Sequence, residues 1–224
     1  MTRFPSRAST QRAQRSVRPR DHLKSKLVIV PFLLGLAGCG GASSGAPALA
    51  VAEPNIAAVY LPLHGTTHLG LDSEDGAAVV IAPGIAATNA HNRNLIDPKT
   101  VIGARQDFDL LFFRVGRDAA AQTAETAVGQ RVVAYGQGGN AELRVAHGVV
   151  REIHACDGCG PAPAYLVFAG NAGPGFSGGP VLDVSGKLVG ITFGYKNEGK
   201  MRLIYAYPMS RVRTELSALQ NRRN

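Results

Sequence analysis

Short apolar, β-branched stretches alternate with Gly, Asn and Asp along most of the chain. Eleven of them follow residue 57: Ala58–Leu63, Ala77–Ala82, Ile85–Thr88, Thr100–Ile102, Leu110–Val115, Arg131–Tyr135, Leu143–Ile153, Tyr165–Phe168, Pro180–Val184, Leu188–Phe193 and Leu203–Tyr207. Short strands at this spacing, separated by turn residues, are typical of a β-sandwich or a β-barrel. The pattern therefore predicts an all-β fold.

One segment near the C-terminus has a helical pattern instead. In Ser210–Asn221 the apolar residues Val212, Leu216 and Leu219 are spaced to share one face of a helix. Ser210 precedes them and is a candidate N-cap. We expect a single short C-terminal helix that packs on the β-structure.

The first 54 residues have a different composition. A basic segment precedes an apolar run, Leu27–Leu36, which contains Pro and Gly and is shorter than a membrane-spanning helix requires. This order is typical of a secretory signal. Residues 39–54 are rich in Gly, Ala, Ser and Pro, which predicts a flexible tether. The predicted organisation is a signal over 1–38, a tether over 39–54 and a folded domain over 55–221.

The signal ends in Leu36-Ala37-Gly38-Cys39, which resembles the processing site of bacterial lipoproteins. The resemblance implies that Cys39 is lipidated and becomes the new N-terminus. Gly40, where a retention signal would have Asp, resembles an outer-membrane sorting signal. The expected location is therefore a lipid anchor in a bacterial membrane, on the outer membrane facing the periplasm. The alternative is an ordinary signal or an uncleaved anchor.

The formal net charge of +8 comes mostly from the signal. Residues 1–38 hold eight of the 24 Lys and Arg and one acid, so the remaining 16 basic and 15 acidic residues give the rest of the chain a net charge of +1. Binding to nucleic acid requires many cationic groups facing phosphates. We therefore expect no nucleic-acid partner.

Three chemically complementary residues follow one another along the predicted domain. His91 follows the apolar stretch Val79–Thr88, Asp109 opens the apolar run that ends at Val115, and Ser177 lies in a loop with four glycines, Gly173, Gly175, Gly178 and Gly179. A serine hydroxyl needs a base to take its proton and donors to stabilise the oxyanion. The order His, Asp, Ser is one of the orders in which a catalytic triad occurs.

The blocks TNAH, DLLFFRV and GFSGGPV resemble those of chymotrypsin-like (trypsin-fold) serine proteases, particularly the bacterial HtrA/DegP-like and glutamyl-endopeptidase-like branches. The resemblance covers about Ala58 to Leu219. It implies two antiparallel β-barrels with the site in the cleft between them, and a short C-terminal helix. It also implies that Ser177 is the nucleophile, His91 the general base and Asp109 the residue that orients the imidazole.

The resemblance also implies roles around the triad. The amides of Gly175 and Ser177 would form the oxyanion hole. The primary specificity pocket would be lined by Asn171, Thr192, Phe193 and Gly194. Because Asn171 carries no negative charge, a neutral, small or apolar substrate side chain is expected before the scissile bond.

The chain departs from the family pattern in three places. Asp109 follows His91 by only 18 positions, so we expect a trimmed first barrel. Asp107 competes with Asp109 for the orienting role, and Asp109 is favoured because it adjoins the apolar strand. Polar Asn92 follows the histidine, where relatives often have an apolar residue or Cys.

Cys156 and Cys159 lie in a loop rich in Pro and Gly. In an exported protein the oxidising compartment favours a disulfide between them. Together with His154 they could instead contribute three zinc ligands, but no fourth ligand is evident. A redox site would need a neighbouring βαβ unit, which the pattern does not predict. We therefore predict a disulfide and no metal.

Two functions from different classes remain open. The first is a serine endopeptidase that cleaves protein or peptide substrates through an acyl-enzyme and uses no cofactor. The second is a weak or inactive relative that serves as a binding or scaffold module. The complete set His91, Asp109 and Ser177 favours the first.

Overall fold

The computed structural model describes residues 54–66, 73–138 and 142–222. Its N-terminal half contains one helix and five strands: α1 (Pro54–Val59), β1 (Tyr60–Thr66), β2 (Ser73–Ala82), β3 (Ile85–Asn89), β4 (Val101–Arg105) and β5 (Leu110–Arg114). The strands form an antiparallel sheet in the order β1-β2-β3-β5-β4. Three 3₁₀ turns connect them, at Ala90–Leu95, Pro98–Thr100 and Gln106–Phe108.

The C-terminal half is a closed barrel of six strands followed by a helix. Its elements are β6 (Arg131–Gln137), β7 (Leu143–His154), β8 (Tyr165–Gly170), β9 (Pro180–Asp183), β10 (Leu188–Glu198), β11 (Met201–Pro208) and α2 (Met209–Asn221). The strands follow the order β10-β11-β8-β7-β6-β9, and each neighbouring pair for which the register is defined is antiparallel.

One hydrophobic core joins the two halves. It contains buried side chains from the first sheet, the barrel and α2, including Val79, Phe112, Leu182, Ile191 and Val212. Burying an aliphatic or aromatic side chain of this size contributes about 1.5–3 kcal/mol. The shared core therefore fixes how the first sheet and the barrel pack against each other.

Strand β5 explains why a continuous apolar run precedes the candidate site. Leu110 and Phe112 pack into the core shared with the barrel, whereas Leu111 and Phe113 pack into a separate cluster of the first sheet. Successive strand residues face opposite sides, so both faces of β5 are buried. This burial holds the start of β5, and Asp109 just before it, in a fixed place.

The predicted all-β class with a C-terminal helix is confirmed, and each of the eleven predicted strands has a counterpart. The first half is trimmed as expected: its hydrogen-bonded sheet has five strands with edges at β1 and β4. Between the candidate histidine and aspartate the only regular elements are β4 and short 3₁₀ turns. The predicted signal, and the tether apart from Pro54, lie outside the described residues.

Two local predictions were wrong. The tether was predicted to end at Pro54 and the first strand to begin at Ala58, but residues 54–59 form α1, for which Pro54 at the first helical position is a favourable start. The N-cap of α2 is Pro208, and Ser210 lies inside the first turn, where its hydroxyl has no hydrogen-bond partner. Strand β11 continues to Pro208, so the helix begins directly where the strand ends. Within the described ranges no helix is long and apolar enough to cross a bilayer.

A buried ion-pair network anchors α2 to both halves. Glu215 contacts Arg211 at 3.0 Å within the helix and Arg105 of β4 at 2.7 Å. Arg211 is fully buried and also donates to the carbonyls of three residues in the loop before β8: Cys159, Ala162 and Pro163. Its guanidinium lies 4.6 Å from the centre of the Phe108 ring. The helix therefore connects the loop that bears the two cysteines to the turn that leads into β5.

Candidate active site

The structure brings His91 and Asp109 into direct contact. The Nδ1 atom of His91 lies 2.6 Å from one carboxylate oxygen of Asp109, and the backbone N–H of His91 donates to the other at 3.0 Å. Two contacts to one carboxylate fix the orientation of the histidine as well as its position. The outward nitrogen, Nε2, forms no hydrogen bond within the described part of the chain. This leaves Nε2 available to a reacting group.

Local backbone structure explains why Asp109 reaches the histidine. Asp109 ends the 3₁₀ turn Gln106–Phe108 in the left-handed region, with φ 42° and ψ 39°. Aspartate and asparagine tolerate this region better than most residues. The Asp109 carbonyl accepts from the Ala90 amide at 2.9 Å, which ties the turn to the segment that carries His91.

Asp107, the alternative orienting residue, does not contact His91. It is exposed within the 3₁₀ turn and has no hydrogen-bond or ion-pair partner among the described residues. The contact geometry therefore favours Asp109 over Asp107.

The turn before the candidate nucleophile has a strict glycine requirement. The Gly173 carbonyl accepts from the Phe176 amide at 3.2 Å, with Pro174 and Gly175 between them. Gly175 has φ 84°, and proline followed by a residue of positive φ is the pattern of a type II turn. A Cβ at Gly175 would also overlap the carbonyl oxygen of Gln137. The turn shape thus requires glycine at this position.

Ser177 is held through its backbone by the other half of the molecule. Its carbonyl accepts from the Ala77 amide at 2.9 Å and from the Asn92 side-chain amide at 3.0 Å. Asn92 also donates to the Thr88 hydroxyl at 2.9 Å. The next residue, Gly178, has φ 81°, and a Cβ there would overlap atoms of the first sheet. The loop that bears Ser177 therefore packs directly against the segment that bears His91.

The groups that a nucleophilic attack by Ser177 would require do not bond to other parts of the described structure. Within the described chain, neither the hydroxyl nor the amide of Ser177 forms a hydrogen bond, and the same holds for the amide of Gly175. The side chains of His91 and Asp109 are 48% and 34% exposed. Hydrogen bonds between a nucleophile and its base are often long before substrate binds and shorten in the complex. In the described structure the hydroxyl and amide of Ser177 and the amide of Gly175 therefore have no hydrogen-bond acceptor.

A very small pocket, with a volume of about 10 Å³, lies beside Ser177. Of the predicted specificity residues, Thr192 and Gly194 line it. Phe193 instead stacks on Tyr207, with ring centres 4.2 Å apart. Further lining residues are Ala172, Gly173, Phe176, Tyr195 and Ile204. The fourth predicted residue, Asn171, lines a neighbouring and more open cavity.

Tyr207 lies behind the His91–Asp109 pair. Burial raises the pKa of its phenol well above the ordinary value, and the negative charge of Asp109 raises the pKa further. The phenol therefore stays protonated and neutral near the carboxylate. Together with Phe193 and Phe108 it forms an apolar wall at this side of the site.

The structure joins Cys156 and Cys159 in a disulfide, with Cα atoms 5.5 Å apart. Both sulfurs are thereby occupied, and His154 instead contacts Glu152 at 2.7 Å and stacks on Tyr165. The described residues contain no cluster of three or more His, Cys, Asp or Glu side chains suited to a metal ion.

Sequence reasoning missed the roles of two polar residues. Asn92 stood out only as a departure from the family pattern, yet its buried amide bridges the two halves at the site. Arg202 gave no signal, since an arginine in a strand usually faces solvent, yet it donates to the carbonyl of Ala172 in the wall of the pocket. Only the three-dimensional packing reveals these contacts.

Comparison with known proteins identifies the family of the chain. A family model described as the trypsin-like peptidase domain matches residues 71–191. A search of curated protein sequences finds no match.

Solved structures share the fold at low sequence identity. The HtrA-type protease AlgW with a tripeptide superposes with a TM-score of 0.59 at 18% identity, covering 75% of this chain and 63% of that one. The Rv3671c protease of M. tuberculosis in its active form gives 0.59 at 20% identity, covering 85% and 93%. The serine endoprotease of Yersinia pestis gives 0.58 at 17% identity, covering 74% and 65%. The chain thus spans less than two thirds of the length of two of these three proteases. Because the family model covers more than half of the chain and the fold is shared, this protein belongs to the trypsin-like peptidase family.

Proposed function

We propose that this protein is a serine endopeptidase that hydrolyses protein or peptide substrates. The observation that carries the proposal is the His91–Asp109 pair, which adjoins the loop bearing Ser177. Asp109 holds the ring through Nδ1 and leaves Nε2 free on the outward side. Asn92, the residue after His91, donates to the Ser177 carbonyl and so joins the histidine segment to the serine loop.

In the proposed reaction the Ser177 oxygen attacks the substrate carbonyl while Nε2 of His91 accepts the hydroxyl proton. Asp109 stabilises the imidazolium that results. The amides of Gly175 and Ser177 stabilise the oxyanion of the tetrahedral intermediate. His91 then gives the proton to the leaving amine, and an acyl-enzyme on Ser177 remains. A water molecule, activated by His91, hydrolyses that ester and restores the serine.

The location of the enzyme is a second part of the proposal. The sequence Leu36-Ala37-Gly38-Cys39 supports export and lipidation at Cys39, with the domain facing the periplasm from the outer membrane. The disulfide between Cys156 and Cys159 fits such an oxidising compartment. Mass spectrometry of the N-terminal peptide would show a diacylglycerol-modified Cys39 if this part is right, and an unmodified cysteine if it is wrong.

The test of the activity is labelling with a fluorophosphonate, which reacts only with an activated serine. We expect the purified full-length protein to be labelled, and Ser177→Ala and His91→Ala to lose the label. Ser185→Ala is the matched control, because Ser185 lies in the β9–β10 turn and bonds only to Asp183. A folded wild type without label would favour the binding module instead.

The buried amide of Asn92 should matter to activity. Replacement by Leu removes the donor to the Ser177 carbonyl and leaves the Thr88 hydroxyl without this partner. Losing a buried hydrogen bond costs about 1–3 kcal/mol, so kcat/KM should fall about 10-fold or more. The control is Asn94→Leu, which changes an exposed asparagine in the same 3₁₀ turn. Equal kcat/KM values for the two variants would show that the bridge does not position the serine.

A further inference from the structure

A second His–Asp pair lies in the first sheet, apart from His91 and Asp109. His64 of β1 and Asp75 of β2 are directly opposite each other in the two strands, and Nδ1 of His64 lies 2.7 Å from Oδ1 of Asp75. The His64 side chain is 46% exposed, whereas that of Asp75 is only 12% exposed. The proposed reaction uses neither residue. The remaining contact of this pair leads to the barrel.

Asp75 bonds across to the barrel through Gln137. The Gln137 side-chain amide donates to the same Asp75 oxygen at 3.1 Å, and Gln137 is 1% exposed. Its own amide oxygen has no hydrogen-bond partner among the described residues. Within that part of the chain, the bond to Asp75 is therefore the hydrogen bond that fixes this buried side chain. It joins the first sheet to the last residue of β6.

The backbone of Gln137 packs against the turn that precedes Ser177. Its N–H donates to the Gly175 carbonyl at 2.8 Å. Its carbonyl oxygen occupies the space that a Cβ of Gly175 would fill. The residue before it makes a similar close contact, since a Cβ at Gly136 would overlap Phe176. The end of β6 is therefore the surface on which this turn packs, and Gln137 is the residue that contacts Gly175.

The direction of the Gly175 amide depends on the shape of this turn. Turns of types I and II differ in the orientation of the peptide unit between their two central residues, and type II requires a positive φ at the second of them. Here that unit joins Pro174 to Gly175, whose φ is 84°. A shift of Gln137 would remove the contacts that keep Gly175 in this conformation. The amide would then point away from the oxyanion in a fraction of the molecules.

We propose that Asp75 is a positioning residue for the oxyanion hole and acts on Gly175 through Gln137. The same strand also places the second proposed donor, because the Ala77 amide of β2 donates to the Ser177 carbonyl at 2.9 Å. Strand β2 thus helps to position both amides. The inference rests on the proposed peptidase function. It assigns a role at the site to a carboxylate that the catalytic triad does not include.

The experiment measures fluorophosphonate labelling of the full-length protein, because the phosphonyl oxygen takes the place of the oxyanion. Varying the reagent concentration separates its binding constant, KI, from the rate constant of bond formation, kinact. Loss of one oxyanion-hole donor costs about 10²–10³ in rate, so its partial displacement in Asp75→Ala should lower kinact about 10-fold and leave KI unchanged. Glu74→Ala is the matched control: Glu74 is the exposed neighbour with the same charge and should label like wild type.

Further variants separate positioning from a general loss of structure. Asp75→Asn keeps an oxygen that accepts from Gln137, so it should restore most of kinact. Gln137→Met removes the side-chain donor and keeps the backbone contacts with Gly175, so it should resemble Asp75→Ala. The double variant should be no slower than either single one, because both changes break the same contact. Additive losses, no rescue by Asn, or equal labelling of Asp75→Ala and Glu74→Ala would overturn the proposal.

Hydrogen–deuterium exchange adds a measurement that does not depend on activity. Several amides of residues 173–179 bond within the loop or to β10, and they should exchange faster in Asp75→Ala than in wild type, whereas exchange in Glu74→Ala should not change. A labelled wild type with unchanged Asp75 and Gln137 variants refutes the positioning role alone. An unlabelled wild type refutes the peptidase. In that case faster exchange in Asp75→Ala still supports the link between Asp75 and the turn, and equal exchange refutes it.

Discussion

Replacing Asp109 by Asn is expected to lower kcat about 10⁴-fold, the loss found when the orienting aspartate of a Ser-His-Asp triad becomes an amide. The amide can donate to Nδ1, which would place the imidazole proton on Nε2. His91 could then no longer accept the serine proton. The fold should survive, because asparagine tolerates the left-handed backbone at this position.

The matched control for this prediction is Asp107→Asn. It changes the same chemical group two residues earlier, at an exposed position without a partner in the described structure. Its kcat should stay within about twofold of the wild-type value. The measurements are peptide hydrolysis, the rate of fluorophosphonate labelling and the thermal midpoint of each variant. If Asp107→Asn lost more activity than Asp109→Asn, the orienting role would belong to Asp107.

Most of the fold could be predicted, because local patterns of apolar and turn residues determine its strands and α2. Strands such as β5 and β9 are continuous apolar runs ended by turn residues, and α2 has apolar side chains at helical spacing. The helix α1 could not be predicted from such a pattern, since of its residues 56–59 only Ile56 and Val59 have deeply buried side chains. Its position depends on packing against the shared core.

The candidate site was also predictable only in part from the sequence. The spacing of His91, Asp109 and Ser177 and the glycines around the serine were visible in the sequence, because each requires a particular residue type. The residues that surround these three could not be identified from the sequence. Arg202 contacts Ala172 from a strand thirty residues away, and the contact depends on how β11 and the loop after β8 meet in the barrel. The place of Arg202 beside the pocket is therefore a property of the packing.

Replacing Glu215 by Ala is expected to lower the free energy of unfolding by about 3–5 kcal/mol, since removal of one partner leaves buried charges uncompensated. The Glu215 side chain is 4% exposed and contacts both Arg211 and Arg105. A loss of this size is a large part of the 5–15 kcal/mol that usually separates folded from unfolded states. Glu215→Gln should fall between wild type and Ala, because the amide oxygen can still accept one hydrogen bond.

Glu215→Ala should also affect the candidate active site. Arg211 packs on the Phe108 ring, and Phe108 immediately precedes Asp109 in the 3₁₀ turn that Arg105 begins. Loosening the network should therefore lower the labelling rate of Ser177 at temperatures where the protein is still folded. Urea unfolding gives the free energies, with Glu125→Ala as control: its exposed pair with Arg213, at 3.4 Å, should contribute less than about 1 kcal/mol. Similar losses in the two variants would mean that the buried network contributes no more than a surface ion pair, and α2 would then be held by its apolar face alone.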